Sequence, residues 1–483
     1  MEPSFDVLKD PWIPVEDLNG ETHELSILDA LSRAHELRSV CDVSPLVEYS
    51  VYRFLVVFLM DALRPQRLSD IEDMLDGGSF DMDAINAYAE RCKNEGVSFD
   101  LFDKERPFMQ TKVDPRWDKQ LKPVDTLDYT VPSGNNHLHF DHKGSVEAYS
   151  AAKTMRMLLA AQQFCTSGAQ SYPSNVNGAP PWFVIIQMDS LFETLILNMV
   201  PIGQVRIKFD DPPVAWRSTA EIEAKKHVAQ TSWLYGMLFP ARRIHLNPEP
   251  DGSVKSIYLS QGMNYIDPET WLDPHAAYRV NDKGRFNLKP STAFAVWHNL
   301  VCFVNTQKSC APQTLSNYAK IFDEGFANLT LYGVATNQAS YLQTAKRDLR
   351  LPLGIIGSDE AEKFIIAFTE AAKLLADAIG RVEKCLKHKG EKDACRKNAM
   401  QRFNDRSGAK LLSLLDQLCE PAADLNKLLK ATVEELLDDA AACIDEELNS
   451  LSLRGSMLME TMNKRQLELN KARKAIRKRW ENE

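Results

Sequence analysis

Three histidines in a short polar segment are the side chains of this chain best suited to hold a metal. His137, His139 and His142 form an H-x-H-x-x-H pattern, and an H-x-H pair on a strand places both imidazoles on one side. With a carboxylate such as Asp141 beside them, these ligands suit zinc or iron and would support a metal-dependent hydrolase. The segment has no cysteine partner, however, and loop histidines more often hydrogen-bond or stack, so no metal is expected.

Two further segments combine small residues with side-chain amides. One is a flexible stretch in which backbone N–H groups can approach a ligand closely, and it comprises Ser167, Gly168, Ala169, Gln170 and Ser171. The other places two amides, which can read base edges or enter a duplex, beside small residues, and it comprises Asn337, Gln338, Ala339 and Ser340. Segments of this composition are also common in ordinary turns.

The short motifs that mark common enzyme classes are missing from the sequence. It has no Gly-x-Ser-x-Gly elbow, Walker loop, dinucleotide Gly-x-Gly-x-x-Gly motif or H-E-x-x-H helix. No pair among its nine cysteines has the C-x-x-C spacing of zinc or redox sites. The residues therefore predict a binding or scaffold protein without catalytic residues or cofactor, with nucleic acid as a candidate ligand.

Length, composition and charge further narrow the class of protein to which this chain can belong. The sequence is 44% hydrophobic and 26% charged, which is ordinary for globular proteins. Its 483 residues are too many for a single hydrophobic core. The longest apolar run, 54–60, is too short to span a membrane, and no signal-peptide pattern is seen, so we expect a cytoplasmic protein. The formal net charge of −10 means that any nucleic-acid contact must use a local basic face.

The first 65 residues carry clear signals for a hairpin and a helix. Asn19-Gly20 lies between two short runs and predicts a β-hairpin over 12–27. Pro45 at a first helical position, with Ser44 as the cap, begins a helix that we expect to end at Leu63.

Beyond these, the chain is irregular. Long polar loops are expected within 106–181 around a helix at 146–163, and long loops of this kind are usually functional or disordered. Strands are predicted at 183–186 and 205–209, and helix-like stretches are predicted to lead to Leu331.

From Ser358 onward the pattern becomes helical throughout. Apolar residues recur at helical spacing in four stretches, at 358–386, 399–420, 432–448 and 456–480, with a shorter piece at 425–430. The first stretch has an apolar stripe of Ile365, Phe368, Ala372, Leu375, Ile379, Val382 and Leu386, and the last has one of Leu458, Met462, Leu469, Ile476 and Trp480. Amphipathic helices with short connections pack economically as a bundle. We therefore predict an α+β protein with a mixed domain at 1–355 and a four-helix bundle at 356–483.

Charges in the predicted bundle are segregated. The stretch 381–410 carries ten Lys and Arg against four acids, 464–479 carries eight against one, and 432–448 has seven acids and no base. These charges either lie on solvated helix faces or form one side of the bundle that contacts phosphates. The candidates for a basic contact face are Arg381, Lys384, Arg396, Lys397, Arg402, Arg406 and Lys410.

The motifs together resemble the CasA family, the large subunit of the type I-E CRISPR Cascade surveillance complex of antiviral defence. The resemblance rests on Pro11-Trp-Ile-Pro-Val15, on Arg106-Pro-Phe-Met-Gln-Thr-Lys112, on the loop from Ser133 to Phe140 and on Asn337-Gln-Ala-Ser340 before the bundle. Gln261-Gly-Met-Asn-Tyr265 and Trp271-Leu-Asp-Pro-His275 fit the same order.

The resemblance implies a non-catalytic subunit that recognises the protospacer-adjacent motif of double-stranded DNA and helps to start its unwinding. Sequence is then read by the guide RNA, as in RNA-guided effectors generally. The implied partners are the other Cascade protein subunits, the CRISPR guide RNA, the target DNA and a helicase–nuclease recruited to this platform. In this context the basic stretches of the bundle are expected to support displaced DNA.

The resemblance also assigns residues. It implies that Gln338, next to Asn337, inserts beside the motif as a wedge, and that 167–171 stands where the family has a glycine loop facing the minor groove. Segment 126–142 matches a mobile loop near the 5′ end of the guide RNA, where the contact residues would be Asn136, Phe140 and His142.

Two departures from the family pattern matter. The zinc-binding cysteine pairs of some relatives are missing, with Glu147-Ala-Tyr-Ser150 near one such place, so no zinc is predicted. Ser260-Gln261-Gly262 stands where the family has a minor-groove lysine. The alternatives to a Cascade subunit are the hydrolase with His137, His139 and His142, or a helical-bundle scaffold that binds no nucleic acid.

Overall fold

Helices and β-strands both build the structure, a computed structural model, which confirms the predicted α+β class. The structure describes residues 2–113, 121–131, 144–167, 172–207, 210–219, 221–266, 271–291, 295–308, 310–337, 340–383, 386, 389–420, 424–451 and 453–480. Within these ranges, the side chains of 337, 340, 389, 391, 394 and 480 are left undescribed.

The helices and strands have the following bounds, in chain order. The helices are α1 Ile27–Ser32, α2 Pro45–Leu63, α3 Leu68–Asp76, α4 Met82–Asn94, α5 Ala151–Gln163, α6 Leu191–Leu197, α7 Trp233–Met237, α8 Val301–Val304, α9 Gln313–Ile321, α10 Asp359–Val382, α11 Lys389–Asp393, α12 Met400–Leu414, α13 Leu425–Ser450 and α14 Gly455–Trp480. The strands are β1 Ile13–Asp17, β2 Thr22–Leu25, β3 Leu37–Val40, β4 Leu121–Pro123, β5 Phe183–Ile186, β6 His227–Val228, β7 Arg242–Pro248, β8 Val254–Gln261, β9 Asn264–Tyr265, β10 Tyr278–Asn281, β11 Gly284–Asn287, β12 Phe326–Asn337 and β13 Ser340–Pro352.

The chain divides into two compact units. Unit 1 comprises Met1–Thr292, Ser309–Asp323 and Ala327–Arg350, and unit 2 comprises Ala293–Lys308, Glu324–Phe326 and Leu351–Glu483. The strands pair in the orders β2-β1-β3, β13-β12-β5, β4-β8-β7, β10-β11 and β6-β9. Across the described ranges, no helix is long and apolar enough to cross a membrane.

The N-terminal hairpin and α2 form as predicted. β1 pairs with β2 in antiparallel register, Ile13 opposite Leu25, and Gly20 in the turn has a φ of +87° that favours glycine. α2 is buried on every side, since each of its residues from 46 to 61 is buried, including the charged Glu48, Arg53 and Asp61. The expected cap is wrong in one detail, since the Ser44 side chain makes no capping hydrogen bond.

One strand prediction and part of one helix prediction need correction. Residues 205–207 are not part of a strand, and 208–209 lie outside the described residues. The helix-like stretches predicted to lead to Leu331 include α8 and α9, but the last part of that stretch, from Phe326, is strand β12, because Leu329–Tyr332 pair with β5. A pairing partner more than a hundred residues away decided this conformation, and short apolar runs do not distinguish helix from strand by themselves.

Unit 2 contains the predicted helices, with changed boundaries. α13 runs without a break through both 425–430 and 432–448, and a π-helical turn at Ala394–Ala399 precedes α12. The apolar stripe predicted on α10 is buried, including Ile365, Leu375 and Ile379.

The stripe predicted for α14 is only partly right. Leu469 and Ile476 are buried, whereas Leu458 and Met462 are 37% and 39% exposed. The buried face instead runs through Thr461 and Glu468.

The segment Ala293–Lys308 packs on the helices of unit 2 through Trp297. The Trp297 ring lies edge-on to Phe368 of α10, with centroids 6.1 Å apart. A Cβ atom at Gly408 of α12 would lie 2.5 Å from the same indole, so this close approach requires glycine. Unit 2 therefore includes residues that precede the predicted bundle.

Candidate nucleic-acid interface

The predicted wedge lies at the connection of a long hairpin in unit 1. β12 ends at Asn337, β13 begins at Ser340, and the two strands are neighbours in one sheet. Strands joined by two residues form an antiparallel hairpin. Gln338 and Ala339 lie outside the described residues, as do the side chains of Asn337 and Ser340.

Just after the connection, Tyr341 fixes this end of the hairpin to the rest of unit 1. Its ring stacks on Tyr129, with centroids 5.0 Å apart and an interplanar angle of 13°. Its hydroxyl donates to the Phe164 carbonyl at 2.8 Å. Tyr129 in turn donates to the Ala161 carbonyl at 3.0 Å.

The loop expected to resemble a glycine loop begins at the same place. α5 ends at Gln163, Thr166 is buried, and Ser167 is exposed. Gly168, Ala169, Gln170 and Ser171 lie outside the described residues.

Arg242, a buried residue of β7, joins the two sides of that loop. Its guanidinium donates to the Thr166 carbonyl at 2.7 Å and also to the Pro173 carbonyl, and it lies 4.8 Å from the centre of the Tyr172 ring. Its backbone N–H and C=O pair with the Gln162 side chain at 3.0 and 2.7 Å. Arg242 is only 5% exposed, and it is a residue that sequence reasoning missed.

A local signal for Arg242 was nevertheless present in the sequence. Side chains alternate between the faces of a strand, so Arg242 shares its face with Ile244 and Leu246, both of which are buried. An arginine on the apolar face of a strand predicts a set of buried acceptors, because its guanidinium always carries charge.

The residues of the predicted mobile loop cannot be placed. Asn136, Phe140 and His142, with His137 and His139 of the alternative metal site, fall outside the described residues.

Among the side chains that the structure does describe, one group is close enough to hold an ion, namely Asp17, Glu21 and His23. The Asp17 carboxylate already accepts the backbone N–H groups of Asn19 and Glu21, at 2.8 and 3.0 Å, and lies 3.2 Å from His23 Nε2. These contacts are those of a structured β-turn.

A basic residue lies opposite Ser260, one of the three residues that the resemblance places at the family's minor-groove lysine. Arg243 of β7 faces Ser260 of β8 in the strand register. Arg243 Nε donates to Ser260 Oγ at 3.0 Å and to the Gln261 carbonyl at 3.1 Å. A Cβ atom at Gly262 would lie 2.4 Å from the Pro240 carbonyl oxygen, so these strands approach closely.

One of the resemblance motifs, Trp271-Leu-Asp-Pro-His275, supports the core of unit 1 instead of the surface. Asp273 and His275 meet Arg53 and Tyr49 of α2, and all four side chains are fully buried. The Arg53 guanidinium donates to both carboxylate oxygens of Asp273, at 2.9 and 2.7 Å, and to the Tyr49 hydroxyl at 2.8 Å. Burial alone would raise the pKa of Asp273, but the Arg53 guanidinium outweighs this effect and holds the pKa below its usual value.

In unit 2, the predicted basic face divides into paired and exposed residues. Arg406 reaches Glu446 of α13 at 2.8 Å, Lys410 reaches Glu435 at 2.6 Å, and Arg402 pairs with Glu447. From the other side of α13, Arg465 of α14 reaches Asp445 at 2.6 Å, and Arg473 reaches Glu434 at 2.8 Å. The acids of α13 thus form ion pairs with cations on both neighbouring helices.

The remaining candidates are more exposed. Arg396 and Lys397 have side chains 68% and 74% exposed, each 3.9 Å from its carboxylate partner. Arg381 is 48% exposed and lies 3.7 Å from Glu468, whereas Lys384 lies outside the described residues.

Comparison with known proteins assigns the chain to a family. The family model for CRISPR-associated protein Cse1 matches residues 6–443. The CRISPR-associated protein CasA/Cse1 of Thermus thermophilus is 29% identical over 398 residues, which are 78% of this chain and 76% of that protein.

Solved structures agree in fold. Thermobifida fusca Cse1 superposes with a TM-score of 0.79 at 18% identity, covering 98% of both chains. A chain of a CRISPR RNA-guided surveillance complex superposes with a TM-score of 0.76 at 19% identity, covering 96% of this chain and 99% of that chain. With its family model matched from residue 6 to residue 443, this chain belongs to the CRISPR-associated Cse1 family, also called CasA.

Proposed function

We propose that this chain is the non-catalytic large subunit of a type I-E CRISPR Cascade complex and recognises the protospacer-adjacent motif of double-stranded DNA. The observation that carries this proposal is the family match over residues 6–443. It is supported by the similar fold of a chain from a CRISPR RNA-guided surveillance complex. The partners are then the other Cascade subunits, the guide RNA, the target duplex and a helicase–nuclease that uses this subunit as its platform.

Within this function, Gln338 is the wedge that separates the first base pairs. Its position between two strands of twelve and thirteen residues supports the role, because a wedge must be held rigidly against the duplex. Unstacking a base step costs a few kcal/mol, which a pre-positioned side chain helps to offset. The segments 126–142 and 167–171 contribute the guide-RNA and minor-groove contacts.

The first prediction tests the wedge. In a complex reconstituted with its subunits and guide RNA, Gln338→Ala should lower the rate of motif-dependent unwinding about tenfold, the effect of ~1.4 kcal/mol, and leave assembly intact. Gln343→Ala is the matched control, since it removes the same amide from an exposed position of the same hairpin. Unwinding is followed with a fluorescent base analogue next to the motif.

Two outcomes would contradict the assignments separately. Unchanged motif dependence in the Gln338→Ala complex would remove the wedge role. A wild-type complex that binds duplexes with and without any flanking motif equally, across a library of such motifs, would remove the proposed function itself.

A further inference from the structure

The C-terminal end of α5 collects side chains from several distant segments of unit 1. The last carbonyl groups of a helix have no partner within the helix and need donors from elsewhere. Here the Ala161 carbonyl accepts from Tyr129, the Phe164 carbonyl from Tyr341, and the Thr166 carbonyl from Arg242. Asn175 Nδ2 donates to the carbonyls of Gln162 and Gln163, at 2.7 and 3.3 Å.

Each of these donors lies in, beside or across the ends of a segment with a proposed DNA or RNA contact. Tyr129 belongs to segment 126–142, Tyr341 follows Gln338 by three residues, and Arg242 binds the chain on both sides of 168–171. One helix end therefore makes direct hydrogen bonds to residues in or next to all three segments.

The donors are suited to hold a fixed geometry. Burial raises the pKa of the Tyr129 and Tyr341 hydroxyls, so both keep the protons that they donate. The two rings stack on each other, so neither hydroxyl moves independently. Arg242 presents several donors in a rigid plane, and its positive charge is favoured beside the partial negative charge of a helix C-terminus.

We propose that the α5 C-terminus, with Tyr129, Tyr341, Asn175 and Arg242 as positioning residues, holds together the described ends of the wedge hairpin and of segments 126–142 and 167–171 for reading the motif. The inference rests on the proposed function and extends it to residues that do not themselves contact the nucleic acid. The wedge and the minor-groove loop then respond together to a change at this helix end.

The test uses Tyr341→Phe, which removes one hydroxyl and keeps the stacked ring, and Arg242→Lys, which keeps the charge and loses the planar set of donors. Tyr332→Phe is the matched control, because it removes a buried hydroxyl bond to Glu48 from the same hairpin, away from α5. In the assembled complex, the ratio of dissociation constants for motif-free and motif-bearing duplex is measured at one salt concentration.

We expect this ratio to fall about fivefold in Tyr341→Phe, the effect of one neutral hydrogen bond, and further in Arg242→Lys, while Tyr332→Phe keeps the wild-type ratio. In the free protein, amide hydrogen exchange should increase near residues 164–176 and 335–345 in both variants and not in the control. Equal loss of the ratio in Tyr332→Phe would show general destabilisation and overturn the inference.

The inference and the proposed function fail in different ways. If the wild-type complex discriminates between the duplexes and both α5 variants do so equally well, the positioning role is wrong. If the wild-type complex itself does not discriminate, the proposed function is wrong and the role in motif reading is lost with it.

Discussion

At the scale of single residues, a fully buried network of charged and polar side chains surrounds His275 in unit 1. His275 Nε2 lies 3.0 Å from the Asn198 carbonyl oxygen, which makes it the protonated nitrogen, and Nδ1 lies 3.3 Å from the Tyr49 hydroxyl. Tyr49 accepts from Arg53, so its own proton points to His275. This arrangement requires a neutral imidazole, and burial beside Arg53 lowers the pKa of His275 to about 4.

This shift predicts acid sensitivity of unit 1. Between pH 6.5 and about 4 the unfolded chain binds a proton that the folded chain does not, so the free energy of unfolding falls as the pH falls through this range. The loss at pH 5 should be about 2 kcal/mol from this group alone. Urea unfolding of the wild type at pH 7 and pH 5 measures it.

The histidine is separated from other titrating groups by substitution. His275→Gln is expected to lower stability at pH 7 and to flatten the decline between pH 6.5 and 4. His227→Gln, which removes an exposed histidine, is the control. A His275→Gln protein with the full wild-type decline would assign the acid sensitivity to other residues.

At the scale of elements, the sequence predicts a helix or strand correctly when residues close to it in sequence determine its conformation. The helices of unit 2 follow from the 3.6-residue period of residues such as Phe368 and Leu375, which is a local signal. β12 was missed because its pairing with Phe183–Ile186 is not local. The role of Arg242 was missed for the same reason, since its acceptors Thr166 and Pro173 lie about 70 residues away. The wedge assignment came from the resemblance, and the hydrogen bond from Tyr341 to the end of α5 is visible only in the structure.

The ion pairs of unit 2 predict two different effects of charge reversal. Arg396→Glu with Lys397→Glu should weaken DNA retention by the complex and reduce its salt dependence by one to two phosphate contacts, at a slope of about 0.9 each. The melting temperature of the protein should change little, because both side chains are mostly exposed. Salt titrations of binding and thermal unfolding measure both.

The matched pair on α12 should behave in the opposite way. Arg402→Glu with Arg406→Glu places new carboxylates against Glu446 and Glu447, so the melting temperature should fall, and most at low salt. If the first pair leaves affinity at low salt unchanged, the exposed cations are only solvated surface.

At the scale of the whole molecule, the charge is distributed in a way that the net value of −10 conceals. Many of the cations in unit 2 are paired with acids of α13, so segregation along the sequence does not become a uniformly basic surface. An acidic protein with small basic regions is suited to bind nucleic acid only where those regions are aligned with the phosphates. This charge distribution favours binding within an assembly of partners over non-specific coating of DNA.

The complete burial of α2 has a consequence for biosynthesis. Its Arg53 bonds Asp273, 220 residues later, and its Glu48 accepts from Tyr332, 284 residues later. At about 5–20 residues per second, a ribosome needs roughly 15–60 s to add the last of these partners, during which this largely apolar helix lacks its native neighbours. We expect ribosome-bound chains that stop before residue 273 to be captured by chaperones through 45–63, and chains that extend beyond 352 to be released. Crosslinking of stalled chains tests this, and equal capture at both lengths would contradict it. The segment on which the core of unit 1 is built is thus the one that most needs protection while the protein is being made.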